Sequence, residues 1–157
     1  MGQTVEILEG KAELCRSIME SLPDWFAEAA VIEASAAAIE DLPVFGHIED
    51  DVVTALMALR PHLPGAVEIA LIATRPEYHR KGAGRHLLAE AENFSRSAGA
   101  RLLTVKTLAP RGRDEPQFEA TRNFYDRNGF IRAEVFPTLW HEDHPCLFLV
   151  KPLERLQ

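Results

Sequence analysis

The stretch Glu68-Ile69-Ala70-Leu71-Ile72-Ala73-Thr74-Arg75-Pro76-Glu77-Tyr78-His79-Arg80-Lys81-Gly82-Ala83-Gly84-Arg85-His86-Leu87-Leu88 decides how this chain is read. Its first seven residues are apolar after Glu68 and make a buried strand. Arg75-Pro76 breaks that strand, a basic glycine-rich loop follows, and Leu87-Leu88 falls in the first turns of a helix. A strand that feeds a glycine-rich loop opening a helix is a pyrophosphate cradle. The backbone N–H groups of the loop point at the ligand, and the helix dipole places partial positive charge there. Gly82 and Gly84 carry no Cβ, so phosphate oxygens can approach the main chain. Arg80, Lys81 and Arg85 add charge around it.

Two familiar phosphate loops are excluded by spacing. A dinucleotide fold needs G-x-G-x-x-G, and the run here is Gly82-Ala83-Gly84-Arg85-His86-Leu87, with no third glycine. A P-loop needs G-x-x-x-x-G-K-[ST], which is absent. A second segment narrows the choice: Glu119-Ala120-Thr121-Arg122-Asn123-Phe124-Tyr125-Asp126-Arg127-Asn128-Gly129-Phe130. Phe118, Arg122 and Tyr125 share one helical face. Gly129 stands where a helix ends on a residue of positive φ, and Phe130 then starts a strand.

The two segments together resemble motifs A and B of the GNAT superfamily of N-acetyltransferases. Motif A reads [Q/R]-x-x-G-x-[G/A]; this chain has Gly82 and Gly84 in place but His79 at the first position, with Arg80 beside it. Motif B is a helix that carries a tyrosine and ends in Gly-Phe. The family often has Asn and Ala before the tyrosine, where Phe118 and Thr121 stand, so that asparagine contact to the pantetheine arm does not carry over. The resemblance runs from Leu42 to Leu153. It implies an α/β fold: one domain over residues 1–157, with a mixed, mostly antiparallel central sheet, helices on both faces and two central strands splayed to admit CoA. It also implies acetyl-CoA as co-substrate and transfer of its acetyl group to a primary amine of a small molecule or peptide. Cofactor-facing residues on this reading are Ile72, Ala73, Thr74, His79, Arg80, Lys81, Gly82, Ala83, Gly84, Arg85, Asn123 and Tyr125. Within the strand of Leu71–Thr74, a backbone N–H would polarise the thioester carbonyl.

Acetyl transfer to an amine needs a base, a polarised carbonyl and a proton for the leaving thiolate. Glu68 stands sixteen residues before Gly84, the spacing of the family's glutamate base, and burial among Val67, Ile69 and Leu71 would raise its pKa. The alternative is an acid at an exposed strand end, with water chains serving instead. Tyr125 is the candidate general acid: the resemblance sets this hydroxyl near the CoA sulfur, and a phenol, still protonated at neutral pH, can donate to a thiolate. The alternative is a core tyrosine. A competing function is a non-catalytic acyl-CoA-binding module or sensor, which would need neither residue.

Composition agrees with a globular domain. The chain has 157 residues, 46% hydrophobic and 26% charged. It has no apolar run of membrane length, and its first residues lack the basic and apolar regions of a signal peptide. Cys15 and Cys146 have no metal or redox spacing, so a reduced, cytoplasmic setting is expected. Charge is uneven: residues 1–74 hold three basic residues against thirteen acids, and residues 75–157 hold fourteen against eleven, so the halves carry −10 and +3. The acidic half suits a cationic acceptor, or is simply a solvated surface. No basic stripe with interleaved aromatics points to nucleic acid. No membrane partner and no metal are expected, and a homodimer is allowed. His141-Glu142-Asp143-His144 reads as a polar hairpin loop in preference to a metal site. Trp140, Trp25 and Phe26 either line an acceptor site or pack locally. His62 has no partner visible in sequence.

Expected helices span Ala12–Leu22, Trp25–Ile39, Gly84–Ala98 and Phe118–Asn128. Val5–Leu8 is either a short strand or disordered, and expected strands span Val44–Ile48, Val52–Leu59, Val67–Thr74, Leu102–Leu108, Phe130–Phe136 and Cys146–Lys151. Glu49-Asp50-Asp51 forms an acidic hairpin turn. The alternation of strands and helices makes an α/β layer domain.

Overall fold

The computed structural model describes residues 2–154; Met1, Arg155, Leu156 and Gln157, the ends of the expected 1–157 domain, lie outside the described residues. The chain gathers into two compact units. One takes the residues up to Arg60 together with Ile69–Phe94, and the other takes Pro61–Glu68 together with Ser95 onward.

In the first unit, β1 (Gln3–Glu6) pairs antiparallel with β2 (Val44–Glu49), and β2 with β3 (Val52–Pro61). The β2–β3 hairpin turns at Asp50 and Asp51, both at positive φ (51° and 64°). A two-residue turn with both central residues left-handed matches strand twist, and a short acidic side chain tolerates it. The register slips between His47 and Ile48, a bulge that lets one strand gain a residue on the other. β1 lies two residues earlier than expected because Gln3 to Glu6 are the residues in register with Ile48 to Phe45.

Against these strands packs α1 (Lys11–Glu20), with Cys15, Ile18 and Met19 buried. The expected helix over Trp25–Ile39 is shorter: α2 covers Ala29–Ala38. Its first turn is lost because the Leu22 carbonyl, just before Pro23, accepts from both Trp25 (3.1 Å) and Phe26 (2.9 Å). Glu28 is extended, and the helix begins again behind it. The core joins Ile18, Met19 and Leu22 to Ile32, Ala36 and Leu56. Each such aliphatic side chain contributes about 1.5–3 kcal/mol by leaving water.

β4 (Ala66–Thr74) starts in the second unit and finishes in the first, and α3 (Ala83–Ser97) follows it. The second unit holds β5 (Leu102–Leu108), α4 (Pro116–Arg127), β6 (Ile131–His141) and β7 (His144–Pro152). Along β5 and β7 seven antiparallel pairs run from Leu102↔Pro152 to Leu108↔Cys146. Gly65, before β4, accepts at its carbonyl from the amides of Arg101 and Leu102. Among the described residues the strand order is β1-β2-β3-β4-β5-β7-β6, a mixed α/β sheet of seven strands. β4 and β5 are neighbours joined through a helix, the crossover that parallel strands require.

β6 reaches five residues further than Phe136, to His141. Its register shifts between Phe136 and His141, where Pro137 falls. An edge strand accommodates proline because one side of its ladder is unpaired. Among the described residues no helix is long and apolar enough to cross a membrane.

Candidate active site

The loop after β4 is built from its own backbone. Arg75 fastens the strand's end: its amide donates to Thr54 O (2.8 Å), Nε to Val53 O (2.9 Å) and a terminal guanidinium nitrogen to Ser17 Oγ (3.0 Å). Residues Pro76–Tyr78 make one 3-10 turn. His79 then folds back, its Nε2 donating to Thr74 O at 2.7 Å, with the ring edge-on to Trp25 at 5.5 Å. A nitrogen bonded to a carbonyl must carry the proton, so the tautomer is set. The His79 ring thus closes the loop, and Trp25 packs on it.

Arg80 and Gly82 both take positive φ (62° and 89°). Glycine adopts that backbone without strain, whereas arginine does so at a cost. The first helical bond of α3 runs from the His86 amide to Gly82 O (3.0 Å). The amides of Ala83, Gly84 and Arg85 sit ahead of it in the first turn, where no helical carbonyl is in reach. Arg80, Lys81 and Arg85 are exposed around them, with Lys81 Nζ 5.5 Å above the Tyr78 ring. Free amides, a helix dipole and three cations suit a pyrophosphate. Ile72 and Thr74 on β4 are half-buried, and Ala73 is buried.

The second unit holds the titratable groups. Glu68 is buried, and both of its carboxylate oxygens are held. His62 Nε2 lies 2.8 Å from Oε1, and Lys106 Nζ donates to Oε2 at 3.0 Å. The side chains are 7% exposed for Glu68, 29% for Lys106 and 44% for His62. Glu68 is therefore an enclosed acid and not an exposed strand end. Lys106 shares its sheet face with Cys146, two positions along β7 from its partner Phe148. Burial pushes the Cys146 thiol up and Lys106 pulls it down.

Tyr125 is buried on α4, against Phe124 and Phe130 at 5.4 Å each. Loss of water raises its phenol well above the ordinary range. Its hydroxyl has no protein hydrogen-bond partner among the described residues. One turn earlier Arg122 is buried too and donates to Leu108 O at 2.7 Å, which ties α4 to the end of β5. Burial lowers the Arg122 pKa, but a guanidinium remains charged. Asn123 is exposed. Two residues on a helix are about 200° apart, so Asn123 and Tyr125 face opposite ways. Trp140 is half-exposed on β6, and Glu142-Asp143 makes the β6–β7 turn, with the Asp143 amide donating to His141 Nδ1 at 3.1 Å.

Sequence reasoning missed Lys106 and His62. A signal for the first existed: Lys106 is the lone charge in Leu-Leu-Thr-Val-Lys-Thr-Leu, as Glu68 is in β4, and lone charges in buried strands need partners. His62 gave no such signal, because a loop histidine is ordinary.

Residues 40–132, more than half of the chain, match the sequence profile of the acetyltransferase (GNAT) domain. None of the curated proteins compared matches the chain. Solved structures share its fold. A protein assigned to the GNAT family of acetyltransferases from Desulfovibrio desulfuricans superposes with a TM-score of 0.81 at 23% identity, over 98% of this chain and 100% of the other. The ribosomal-protein-S18-alanine N-acetyltransferase from Escherichia coli gives 0.77 at 17% identity, over 100% and 97%. A GNAT family acetyltransferase from Elizabethkingia anophelis with acetyl-CoA bound gives 0.73 at 13% identity, over 97% and 98%.

Proposed function

The chain belongs to the GNAT acetyltransferase family, and from that premise we propose that it moves an acetyl group from acetyl-CoA to a primary amine of a small molecule or peptide. The observation that carries this reading is the buried Tyr125 ring, whose hydroxyl has no protein hydrogen-bond partner among the described residues, in a chain that also carries a loop of first-turn amides beyond the reach of helical carbonyls. A binding module needs the second and has no use for the first.

On this reading the amides of Ala83, Gly84 and Arg85 hold the pyrophosphate, with Arg80, Lys81 and Arg85 as counter-charges. His79 shapes the loop. An amide among Ile72, Ala73 and Thr74 polarises the thioester carbonyl. Tyr125 faces the sulfur. A free phenol already holds its proton more tightly than a thiol does, about 10 against 8.5, and burial widens that gap. Tyr125 therefore stabilises the departing thiolate by donating a hydrogen bond, and solvent completes its protonation. Glu68, His62 and Lys106, together in the second unit, are the basic groups that receive the amine's proton. The acidic first half of the chain draws in a cationic acceptor by long-range attraction.

The test is release of the CoA thiol from acetyl-CoA across a panel of amines, with hydrolysis as the blank. Amine-dependent release supports transfer. Acetyl-CoA binding with no release above the blank for any amine is the result of a non-catalytic binder.

A further inference from the structure

A base must meet the amine it deprotonates, and Glu68 is the most enclosed member of its cluster. Its side chain is 7% exposed, whereas His62 beside it is 44% exposed. His62 is fixed from both sides. Its amide donates to Ala66 O (3.0 Å), Ala66 donates to Leu63 O (2.9 Å), and its ring nitrogen Nε2 lies 2.8 Å from Glu68 Oε1. A carboxylate accepts, so Nε2 carries the proton. Nδ1 then keeps its lone pair, with no protein partner among the described residues. Lys106 holds the other Glu68 oxygen at 3.0 Å, so the carboxylate cannot swing outward without giving up that ion pair.

Resting on the acetyl-transfer reading above, we propose that His62 is the group that takes the acceptor's proton and that Glu68 is its positioning residue. The amine lone pair forms the N–C bond to the thioester carbonyl carbon, and the amine proton passes to Nδ1. The C–S bond breaks with its electron pair on sulfur. Glu68 stays ionised and stabilises the imidazolium, which then returns its proton to solvent. The titratable groups beside the pair are Lys106 from β5 and the buried Cys146 thiol from β7. Neutral imidazole is the active form, so kcat/KM rises with pH through the His62 titration. Replacing the Glu68 carboxylate by an amide removes the anion that faces the imidazolium as it forms, while Nδ1 stays in place to accept the proton.

The experiment follows thiol release from acetyl-CoA with tyramine, spermidine and alanine amide for the wild type, His62→Gln and Glu68→Gln, from pH 5 to 9. Melting curves establish that each variant is folded, and the His62 ring is titrated by NMR in the wild type and in Glu68→Gln. The assignment predicts that His62→Gln lowers kcat by roughly 10²-fold, abolishes the acidic limb of the profile and recovers part of its rate with added imidazole. Glu68→Gln keeps an acidic limb, and that limb coincides with the His62 titration measured by NMR in the same variant. The opposite pattern overturns it: His62→Gln with the wild-type profile and Glu68→Gln without a limb makes Glu68 itself the base. A wild type that binds acetyl-CoA but releases no thiol with any amine overturns the transfer reading and this assignment with it.

Discussion

The glycine-rich loop and the Glu68 cluster prepare for charge in opposite ways. The loop meets a polyanion with main-chain N–H groups at the head of α3, and its side chains shape or surround it: Arg75 and His79 anchor, while Arg80, Lys81 and Arg85 stay in water. The cluster meets a proton with side chains alone, a buried carboxylate clasped by Lys106 and His62. One site is local in the sequence and tolerant of its neighbours. The other is assembled from a loop, β4 and β5, and each member is costly to remove because the others are left uncompensated. The lesson is that cofactor affinity rests on the loop with little bearing on fold stability, whereas the cluster bears on fold stability with little effect on cofactor affinity.

The largest expected effect breaks the loop without touching the fold. Gly84→Glu puts a carboxylate among the first-turn amides, where it competes with phosphate and repels it. Like-charge placement costs several kcal/mol, so acetyl-CoA affinity measured by calorimetry falls by at least about 10²-fold. The melting temperature holds, because an acid in the first turn of a helix suits its dipole. Wild-type affinity in the folded variant places the phosphates elsewhere.

Next comes Tyr125→Phe, which keeps the ring packed on Phe124 and Phe130 and removes the hydroxyl. The expected loss in kcat is roughly 10²-fold, with little change in acetyl-CoA affinity and at most about 1 kcal/mol in stability. A variant that loses stability but keeps kcat assigns the ring to packing.

Lys106→Met reverses the pattern seen at the loop. Removing one partner of a buried ion pair costs about 3–5 kcal/mol; since Lys106 is partly exposed, about 2 kcal/mol is expected in urea unfolding, with acetyl-CoA affinity unchanged. Equal stability of Lys106→Met and wild type removes the contrast between the two regions.

The smallest effect is electrostatic steering. If the −10 charge of residues 1–74 attracts the acceptor, KM for spermidine rises a few-fold as salt goes from about 0.02 to 0.3 M. KM for alanine amide, which carries at most one positive charge, rises less. An anionic acceptor that turns over faster than every cationic one contradicts the steering.

Most of the fold is legible in the sequence, because its signals are local. Leu102–Leu108 is a strand over those same residues, and Gly99, Gly129 and the acidic pair Asp50-Asp51 fall at the turns they announce. Where local signals mislead, a competing contact explains it. The alanine-rich run over Trp25–Ile39 loses its first turn to the Leu22 carbonyl, and β6 passes beyond Phe136 because an edge strand can carry Pro137. The same division holds in the candidate site. Gly82 and Tyr125 are legible because their motifs are contiguous. The partners of Glu68 are not, since they lie 6 and 38 residues away and only the fold brings them together. His79 is visible as a motif position, but its turn back onto Thr74 is not.

Acetyl-CoA binding to the loop is the central claim, and a thermal-shift comparison of acetyl-CoA, NAD and ATP against the same protein tests it most directly. At a hundredfold excess over Kd, acetyl-CoA stabilises the folded chain by about 2.7 kcal/mol. For a domain of this size that is a rise of roughly 5–10 °C in Tm, and neither NAD nor ATP produces it. A flat response to acetyl-CoA beside a clear rise with NAD or ATP contradicts the account.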